Sequence, residues 1–340
     1  MATPSGQISA ADIRNEFGPS VETGEKVRIG DYRVSQTVGV LRDLPLDDGI
    51  PQSGKITFND FRNKRLNIII NYHSSNETRP STARTKYNNA GSNVTVIGGF
   101  KGRPGESAGT KVRIHVNKTI SGGGGINDCS LRTGTGWDSN TDMFIDIGEE
   151  GKLYGRGGNG GAGGDNEGPG GDGHNGNHAL GIQYNGGGEA VTVNVRSGGL
   201  ISCGFGGGGG GSGDKQSDKG SERKANGGGG GGGAGSPHGN GGDAGEGGSG
   251  GQNGSNGADI TGGDGGSGGN NGNQAYGGNG GDGGQPGKNA QDGQARDSDG
   301  GEAGSNGDSI RGGEGITNAN VSINNSGTIR GGYRWNSEVT

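Results

Sequence analysis

The apolar residues of this chain fall into short runs with a period of two, and each run is followed by glycine. Four such units occur, at residues 111–125, 143–161, 191–211 and 321–332. In the third unit, Val191, Val193 and Val195 alternate with polar residues, which places them on one face of a strand. The units therefore predict four stacked β-rungs, a small β-prism or helix-like base whose turns open into glycine-rich segments.

The N-terminal part contains an internal duplication. Residues 5–15 (SGQISAADIRN) recur at 53–63 as SGKITFNDFRN. In each copy a hydroxyl residue, Ser9 or Thr57, precedes a short helix, and an acidic residue follows three positions later, which predicts an N-cap with a capping-box-like partner. The residues predicted to cap, to be buried or to face a partner are Ile8, Asp12, Ile13, Arg14, Ile56, Asp60, Phe61 and Arg62. The two arginines are either solvated or partner contacts.

Two alternating segments, 26–34 and 66–72, predict strands between and after the duplicated hooks. Residues 1–72 are therefore predicted to form a small α+β module with a helical hook at either end. Such a module is suited to docking and not to catalysis.

From residue 241 onward the sequence repeats with a period of three. Stepping by three from Gly242 to Gly293, fifteen of eighteen positions are Gly, whereas the next phase, from Asp243 to Gln294, contains no Gly and is almost entirely polar. A left-handed helix with three residues per turn, the polyglycine II helix, turns each phase into one edge of a rod. We expect the glycine edge to face another layer and the polar edge to face solvent.

A second period of fifteen residues covers 247–261, 262–276 and 277–291. Each unit has room for a rod of about ten residues, some 30 Å long, and the turns are predicted at 258–261, 274–276 and 288–291. Because this backbone makes no internal hydrogen bonds, such rods must pack side by side. A disordered glycine tract is the alternative, and collagen is excluded because Pro286 is the only proline from 241 to 294.

Composition supports this division of the chain. Of the 91 glycines, 68 lie in residues 151–320 and 13 in residues 1–110, and residues 204–315 contain only four large apolar side chains. So few apolar residues cannot form an ordinary core. The predicted fold is mostly β and irregular, with an attachment module (1–72), a β-rich base (73–150), a polyglycine II bundle with exposed loops (151–320) and a strand returning to the base (321–340).

Charge and cysteine content narrow the class of protein. The net charge is −6 with both signs interspersed, so no nucleic-acid partner is expected. The sequence shows no membrane-length apolar run and no signal-peptide core, which favours synthesis and assembly in a cytoplasm. Cys129 and Cys203 are accordingly expected to be unpaired thiols.

The loops between rods are the main source of chemical variety. The candidate loops are 173–184, 214–225, 236–238, 270–276 and 288–299, and the candidate binding residues are His174, His178, Tyr184, His238, Tyr276 and Arg296. Aromatic groups among polar residues suit glycan or loop recognition, although each loop can also be a solvated turn. His174 and His178 have metal-ligand spacing only on a helix, which GDGHNGNHAL does not form. No metal, cofactor or catalytic group is predicted.

The opening SGQISAADIRNEFG and its echo resemble the N-terminal segments of tailed-bacteriophage tail and baseplate-associated proteins. The glycine tract resembles the adhesin at the long-tail-fibre tip of T-even-type phages, in which polyglycine II helices form a sandwich and distal loops bind the host. The segment VSINNSGTIRGG is similar to glycine-rich phage fibre proteins. The resemblance implies a non-enzymatic virion protein, docked by residues 1–72 to a tail, baseplate or fibre protein, whose loops recognise a host surface protein or glycan.

Two other functions are compatible with rods of this kind. A baseplate or fibre connector would use the rods as a stiff spacer. An ice-binding protein needs a regular uncharged face, whereas the polar edge here mixes Asp, Glu, Lys and Gln. The sequence leaves both a homotrimer and a sandwich closed within one chain open.

Overall fold

The fold is taken from a computed structural model that describes residues 3–17, 28–32, 50–51, 53–64, 68–73, 81–83, 86, 94–97, 111–122, 129–137, 141–184, 191–218, 220–272, 274–337 and 339. Over these residues the chain consists of short strands and irregular extended segments, with one α-helix. The prediction of a mostly β protein is confirmed.

The helical elements are α1 (Ala10–Phe17) and three 3-10 helices at Ile29–Tyr32, Phe58–Phe61 and Asn318–Asn320. The strands are β1 (Ile68–Tyr72), β2 (Ser81–Thr82), β3 (Val94–Ile97), β4 (Lys111–Val116), β5 (Thr119–Gly122), β6 (Cys129–Arg132), β7 (Asp142–Ile147), β8 (Lys152–Gly155), β9 (His178–Ile182), β10 (Val191–Val195), β11 (Leu200–Ser202), β12 (Asp214–Asp218), β13 (Ser221–Ala225), β14 (Asn270–Asn271), β15 (Ala275–Tyr276), β16 (Asp308–Gly312), β17 (Val321–Asn325), β18 (Thr328–Arg330) and β19 (Gly332–Arg334).

Three sheets build the base of the molecule. Their strand orders are β17-β10-β7-β4-β1-β3, β18-β11-β8-β5 and β19-β16-β9-β6-β2. All neighbours are parallel except β1 and β3. Each rung gives one strand to each sheet, as β4, β5 and β6 do, so the base is a three-sided solenoid. The four predicted rungs are confirmed, and the third strand of each rung is an addition.

The solenoid core is made of in-register stacks of aliphatic side chains. In the first sheet, Ile70, Ile114, Ile145, Val193 and Ile323 occupy equivalent positions on five successive strands. The first four are fully buried, and the last is only partly buried. Full burial of such a side chain stabilises the fold by about 1.5–3 kcal/mol, so the base carries the hydrophobic core that the glycine tract lacks.

Ten glycine-rich rods extend from this base. They are rod 1 (156–165), rod 2 (168–177), rod 3 (203–213), rod 4 (226–235), rod 5 (238–247), rod 6 (249–258), rod 7 (261–269), rod 8 (277–285), rod 9 (288–296) and rod 10 (299–307). Hydrogen bonds between rods recur every three residues, as in the donation from Gly158, Gly161 and Gly164 of rod 1 to rod 3. The backbone is thus satisfied by neighbouring rods.

The hydrogen bonds arrange the rods in three layers. Rods 2, 1 and 5 form one outer layer, rods 10, 3, 4 and 6 the middle layer, and rods 9, 8 and 7 the other outer layer. Rods 3 and 4 each bond to six neighbours. Odd-numbered rods run away from the base, and even-numbered rods run back to it. Rods 1 and 3 follow the base strands β8 and β11, whereas rods 2 and 10 lead into the base strands β9 and β16.

Over their glycine runs, residues 206–211 and 227–233, the two central rods leave no room for side chains. A methyl group added to Gly208 of rod 3 would overlap the carbonyl oxygen of Gly281, and one added to Gly230 of rod 4 would overlap that of Gly208. In rods 7 and 8 the glycine edge is buried at Gly263, Gly266 and Gly281, whereas the next phase is exposed at Asp264 and Ser267. The predicted orientation of the two edges is confirmed here.

The duplicated hooks pack against each other in a separate small core. Phe17, Tyr32 and Phe61 form a triangle of edge-on rings with centroids 5.7 to 6.2 Å apart. Ile13 and Ile50 are buried with them, and Ile8, Ile29 and Ile56 pack around them. Both predicted capping boxes are present, Ser9 with Asp12 and Thr57 with Asp60.

The strand predicted at 26–34 is wrong within the described residues, where Ile29–Tyr32 is a 3-10 helix. Residues three apart lie on one side of such a helix, so Ile29 and Tyr32 both reach the aromatic core. In a strand they would lie on opposite faces.

The four predicted domain ranges follow the amino-acid composition of the chain, but their boundaries do not coincide with those of the folded parts. Strand β1, inside 1–72, pairs with β4 in the base. Five further base strands, β8, β9, β10, β11 and β16, lie within 151–320. The turn predicted at 288–291 instead lies at 285–288, where Gln285 and Lys288 pair. The glycine-rich rods are therefore insertions between base strands.

Candidate binding surface

Five turns join the rods at the end away from the base, and together they form what we call the distal surface. They comprise residues 165–168, 214–225, 246–249, 270–276 and 296–299. The turns at 235–238, 258–261 and 285–288 lie on the base side. Because rods alternate in direction, every distal turn follows an odd-numbered rod.

The largest distal turn is the hairpin of β12 and β13, which carries most of the charge. Its strands pair from Asp214 with Ala225 to Asp218 with Ser221, and Gly220 takes a left-handed conformation in the turn (φ +83°). The second hairpin, β14 with β15, pairs Asn270 with Tyr276. Polar residues can form these strands because the flanking rods, 3 and 4 for the first hairpin and 7 and 8 for the second, hold the hairpin ends at a fixed spacing.

Asp214 ties three distal turns together. It is 5% exposed, and its Oδ2 accepts a 2.6 Å hydrogen bond from the Tyr276 amide while its Oδ1 accepts one of 3.1 Å from Gln216 Nε2. The next amide, that of Lys215, donates to Asp297 Oδ2 at 3.2 Å. The 214–225, 270–276 and 296–299 turns are therefore one connected structure.

The carboxyls of Asp214 and Asp297 form a hydrogen-bonded acid pair. Burial disfavours the charged form of Asp214, but hydrogen bonds led by the one from the Tyr276 amide outweigh burial and lower its pKa. The hydrogen bond with Asp214 raises the pKa of Asp297. A shared proton between two close carboxyls produces such a divergence.

The remaining distal turns are joined by charged side chains. Lys215 Nζ lies 3.1 Å from Glu167 Oε1 and 3.3 Å from Glu222 Oε1, and the hydrogen bond with Glu167, followed by that with Glu222, raises the pKa of Lys215. The Asp165 carboxylate accepts from the Glu246 amide. The five turns thus present acidic, basic and amide groups on a connected surface.

Backbone groups complete the connections between the two hairpins. Arg223 Nη1 donates to the Gly272 carbonyl at 3.3 Å, and Asn271 Nδ2 donates to the Lys224 carbonyl at 3.1 Å. The Ser249 amide donates to the same carbonyl at 3.0 Å. The hairpins and the 246–249 turn therefore share one anchoring point.

The structure separates the six predicted binding residues. Tyr276, 38% exposed, and Arg296 lie on the distal surface. His174 is exposed on the side of rod 2, and His238 is exposed in a base-side turn. These four positions are exposed, but only two of them lie together.

The prediction that His178 and Tyr184 belong to an exposed loop is wrong. His178 lies in β9 and is 5% exposed, and its Nδ1 accepts a 2.7 Å hydrogen bond from the Asp308 amide. Tyr184 is 7% exposed, and its hydroxyl exchanges 3.0 Å hydrogen bonds with the Thr141 backbone. The segment after rod 2 re-enters the solenoid, which places both side chains in the base.

Sequence reasoning identified the 214–225 segment but did not single out Asp214, Lys215 or Asp297. The available signal was the break in glycine content at that segment. What makes these residues important is contact between turns that lie up to 82 positions apart, and the sequence does not encode which turns are neighbours.

The described residues also bear on metal binding, membrane insertion and thiol chemistry. No group of three or more His, Cys, Asp and Glu side chains is placed to hold a metal ion there, and no helix there is long and apolar enough to span a bilayer. Cys129 and Cys203 are buried, and neither is in a disulfide. Burial, followed by the nearby Asp308 charge, raises the pKa of Cys203 to about 12, so its thiol stays protonated at neutral pH.

An open cleft of about 600 Å³ lies on the base beside the C-terminal segment. It is lined by Thr135, Gln183, Gly313, Glu314, Asn336, Ser337 and Val339. Glu314 is the charged residue in this set, so the distal surface offers far more varied chemistry.

Comparison with known proteins gives little further information. No protein-family model matches the sequence, and no curated protein matches it. Among solved structures the chain is similar to the crystal structure of the gp37-gp38 adhesin tip complex of the bacteriophage S16 long tail fiber, with 17% sequence identity, a TM-score of 0.41, and coverage of 97% of this chain and 94% of that chain. Similarity at this level does not assign a function.

Proposed function

We propose that this protein is a non-enzymatic adhesin of a bacteriophage tail, whose distal surface recognises a protein or glycan on the host cell. The observation that supports the proposal is the connected distal surface, in which five turns of varied chemistry are held at one end of a densely hydrogen-bonded bundle. Surface turns on a rigid frame are common binding sites. Several copies on one virion would multiply weak contacts.

The bundle suits this role if its rods are polyglycine II helices. Support comes from the three-residue recurrence of the hydrogen bonds and from the six neighbours of rods 3 and 4. The rods bury one large apolar side chain, Phe205, near the base end of rod 3, so the distal turn sequences can change without disturbing a hydrophobic core. Host range could then change while the frame is kept.

The N-terminal module would attach the protein to a tail, baseplate or fibre protein. Around its aromatic core the module leaves Phe58 44% exposed, and Arg14 and Arg62 are exposed as well. Aromatic residues and arginines are enriched in protein interfaces. The protein would then be a component of the virion tail that is assembled in the host cytoplasm. Each attachment site would hold one chain or three.

Competition for adsorption tests the proposal. The purified chain should reduce adsorption of its phage to host cells, because it occupies the same receptor. The Tyr276→Ala variant should compete less well, by about tenfold. Ile260→Ser is the matched control, since Ile260 is an exposed residue (53%) in a base-side turn and its loss should leave competition unchanged.

A chain that folds but does not bind host cells would contradict the adhesin proposal. That result would favour a connector, in which the rods act as a stiff spacer. A second test separates the two functions: exchanging the 214–225 and 270–276 turns between related phages alters host range for an adhesin and leaves it unchanged for a connector.

A further inference from the structure

The sequence contains ten Asn–Gly dipeptides, nine of them within the described residues. Asn–Gly is the dipeptide most prone to spontaneous deamidation, because the glycine amide nitrogen can attack the neighbouring side-chain carbonyl without obstruction by a Cβ. Asparagine is one of the thermolabile residues depleted in heat-stable proteins. A bundle rich in Asn–Gly would therefore be expected to change chemically with time.

Eight of the nine sites lie at rods, and the glycine amide of each is already engaged. The donations, with their lengths, are Gly160 to Asn240 O (2.8 Å), Gly176 to Ser305 O (2.9 Å), Gly227 to Gly164 O (2.9 Å), Gly241 to Asn256 Oδ1 (2.9 Å), Gly254 to Gly242 O (2.9 Å), Gly257 to Gly239 O (2.9 Å), Gly280 to Gly266 O (2.9 Å) and Gly307 to Gly204 O (2.9 Å). Attack would first require this bond to break and the rod to leave its lattice.

Most of the corresponding asparagine side chains are held as well. In six of the eight pairs the asparagine Oδ1 accepts a hydrogen bond of 2.7 to 3.1 Å from an amide of a neighbouring rod; these are Asn159, Asn175, Asn253, Asn256, Asn279 and Asn306. At these six sites both reacting groups, the amide nitrogen and the side-chain carbonyl, are thus fixed by hydrogen bonds.

Asn271–Gly272 is different. It lies in the turn of the β14–β15 hairpin on the distal surface, where Gly272 is exposed and has φ +52°. Within the described residues the Gly272 amide donates no backbone hydrogen bond to another rod or turn. Asn271 pairs with Ala275 in the hairpin, and its side chain donates through Nδ2 to the Lys224 carbonyl at 3.1 Å.

We propose that Asn271 is a site of spontaneous deamidation on the distal surface, and that the rod lattice protects the eight other described Asn–Gly pairs. The Gly272 nitrogen forms a bond to Asn271 Cγ, its proton goes to the side-chain nitrogen, and the Cγ–Nδ2 bond breaks to release ammonia. Water then opens the cyclic imide at either carbonyl, with its second proton returning to the ring nitrogen. The products are aspartate and isoaspartate.

The reaction would alter the surface in two ways. The Nδ2 donor to the Lys224 carbonyl is lost and replaced by a carboxylate oxygen, which repels that carbonyl. A negative charge is added, and isoaspartate also lengthens the backbone within the hairpin. The contact between the two distal hairpins should therefore loosen.

The test is peptide mapping by mass spectrometry of the full chain, incubated at mildly alkaline pH in its folded state and in denaturant. In denaturant all nine sites should convert at similar rates, whereas in the folded protein Asn271 should convert about tenfold or more faster than each rod site, as expected for sites that react only after local opening. Equal rates in the folded chain, or an intact Asn271 beside converted rod sites, would overturn the proposal.

A variant gives an independent readout. Asn271→Gln, whose longer side chain closes its ring far more slowly, should remove one equivalent of early ammonia release from the folded protein and leave the slow phase unchanged. Peptide mapping follows the tenth pair, Asn185–Gly186, separately. Undiminished early release would show that another site reacts first. Neither readout depends on receptor binding, so the outcome is separate from that of the adhesin proposal.

Discussion

At the scale of single residues, the polar edge of the rods does more than face solvent. Side-chain oxygens on this edge accept hydrogen bonds from amides of the neighbouring rod, as Asp292 Oδ1 does from Ala303 and Asp172 Oδ1 does from Glu302. At the edge of the bundle these side chains replace the missing neighbour. Asn, Asp and Gln therefore recur there because a carbonyl or carboxylate oxygen is needed at rod spacing.

The Asp214–Asp297 pair gives a pH dependence at this scale. Because the pKa of Asp214 is lowered from 3.8, its contribution to stability is present above that value and is lost as the pH falls through the lower folded pKa. Because the pKa of Asp297 is raised from 3.8, its contribution has the opposite sign and is lost as the pH rises through the higher folded pKa.

We therefore expect the Tyr276 amide, which donates to Asp214, to stay protected from hydrogen exchange down to pH values near 3.8 and to lose protection below. Protection factors measured by NMR across the acidic range check this. Asp297→Asn is the matched control, since it keeps a hydrogen-bonding partner for Asp214. Loss of protection well above pH 3.8 in the unaltered chain would contradict the assignment.

At the scale of elements, the rods are held by backbone contact and the rungs by side-chain contact. Along its glycine run a rod tolerates a side chain only on its outer edge, because carbonyl oxygens of neighbours occupy the space where an inner Cβ would lie. A rung needs large aliphatic residues on its inner face. Elements with opposite requirements can adjoin because the solenoid turns hold the rod ends in place.

We expect Gly208→Ala in rod 3 to destabilise the protein by about 1–3 kcal/mol or more, because the added methyl group forces rods 3 and 8 apart. Gly250→Ala in rod 6 is the matched control. Nothing lies within 4 Å of a Cβ at Gly250, so alanine there should be neutral or slightly stabilising. Denaturant unfolding of both variants measures the difference, and equal effects would disprove close packing of the middle layer.

At the scale of the whole molecule, the rods and the base depend on each other. Rods 1 and 2 lie between β8 and β9, and rods 3 to 10 lie between β11 and β16. Both insertions begin and end on adjacent sheets of the solenoid. The base therefore fixes both ends of the rod lattice. A segment anchored at both ends is better ordered than a free tail.

We expect Ile145→Ala, at the centre of the core stack, to lower the free energy of unfolding by about 2–5 kcal/mol and to lower base and rod stability in one transition. Circular dichroism of the base together with hydrogen exchange of rod 3 amides measures both parts. Ile323→Ala, at the partly buried end of the same stack, should cost less. Rod amides that stay protected after the base has unfolded would show that the lattice is independent.

The sequence by itself determined the features that depend on near neighbours along the chain. The capping boxes at Ser9 and Thr57, the four alternating rungs and the orientation of the glycine edge all follow from local spacing, since backbone periodicity decides which side chains share a face. The length of rods 6, 7 and 8 followed in the same way from the fifteen-residue repeat.

Tertiary structure alone decided which rods are neighbours, which turns are distal, and that His178 and Tyr184 are buried in the base. One glycine run is chemically the same as another, so the side chains carry no information about pairing between rods. That pairing is set by where the solenoid holds the rod ends. The Asp214 cluster exists only because this arrangement brings distant turns together.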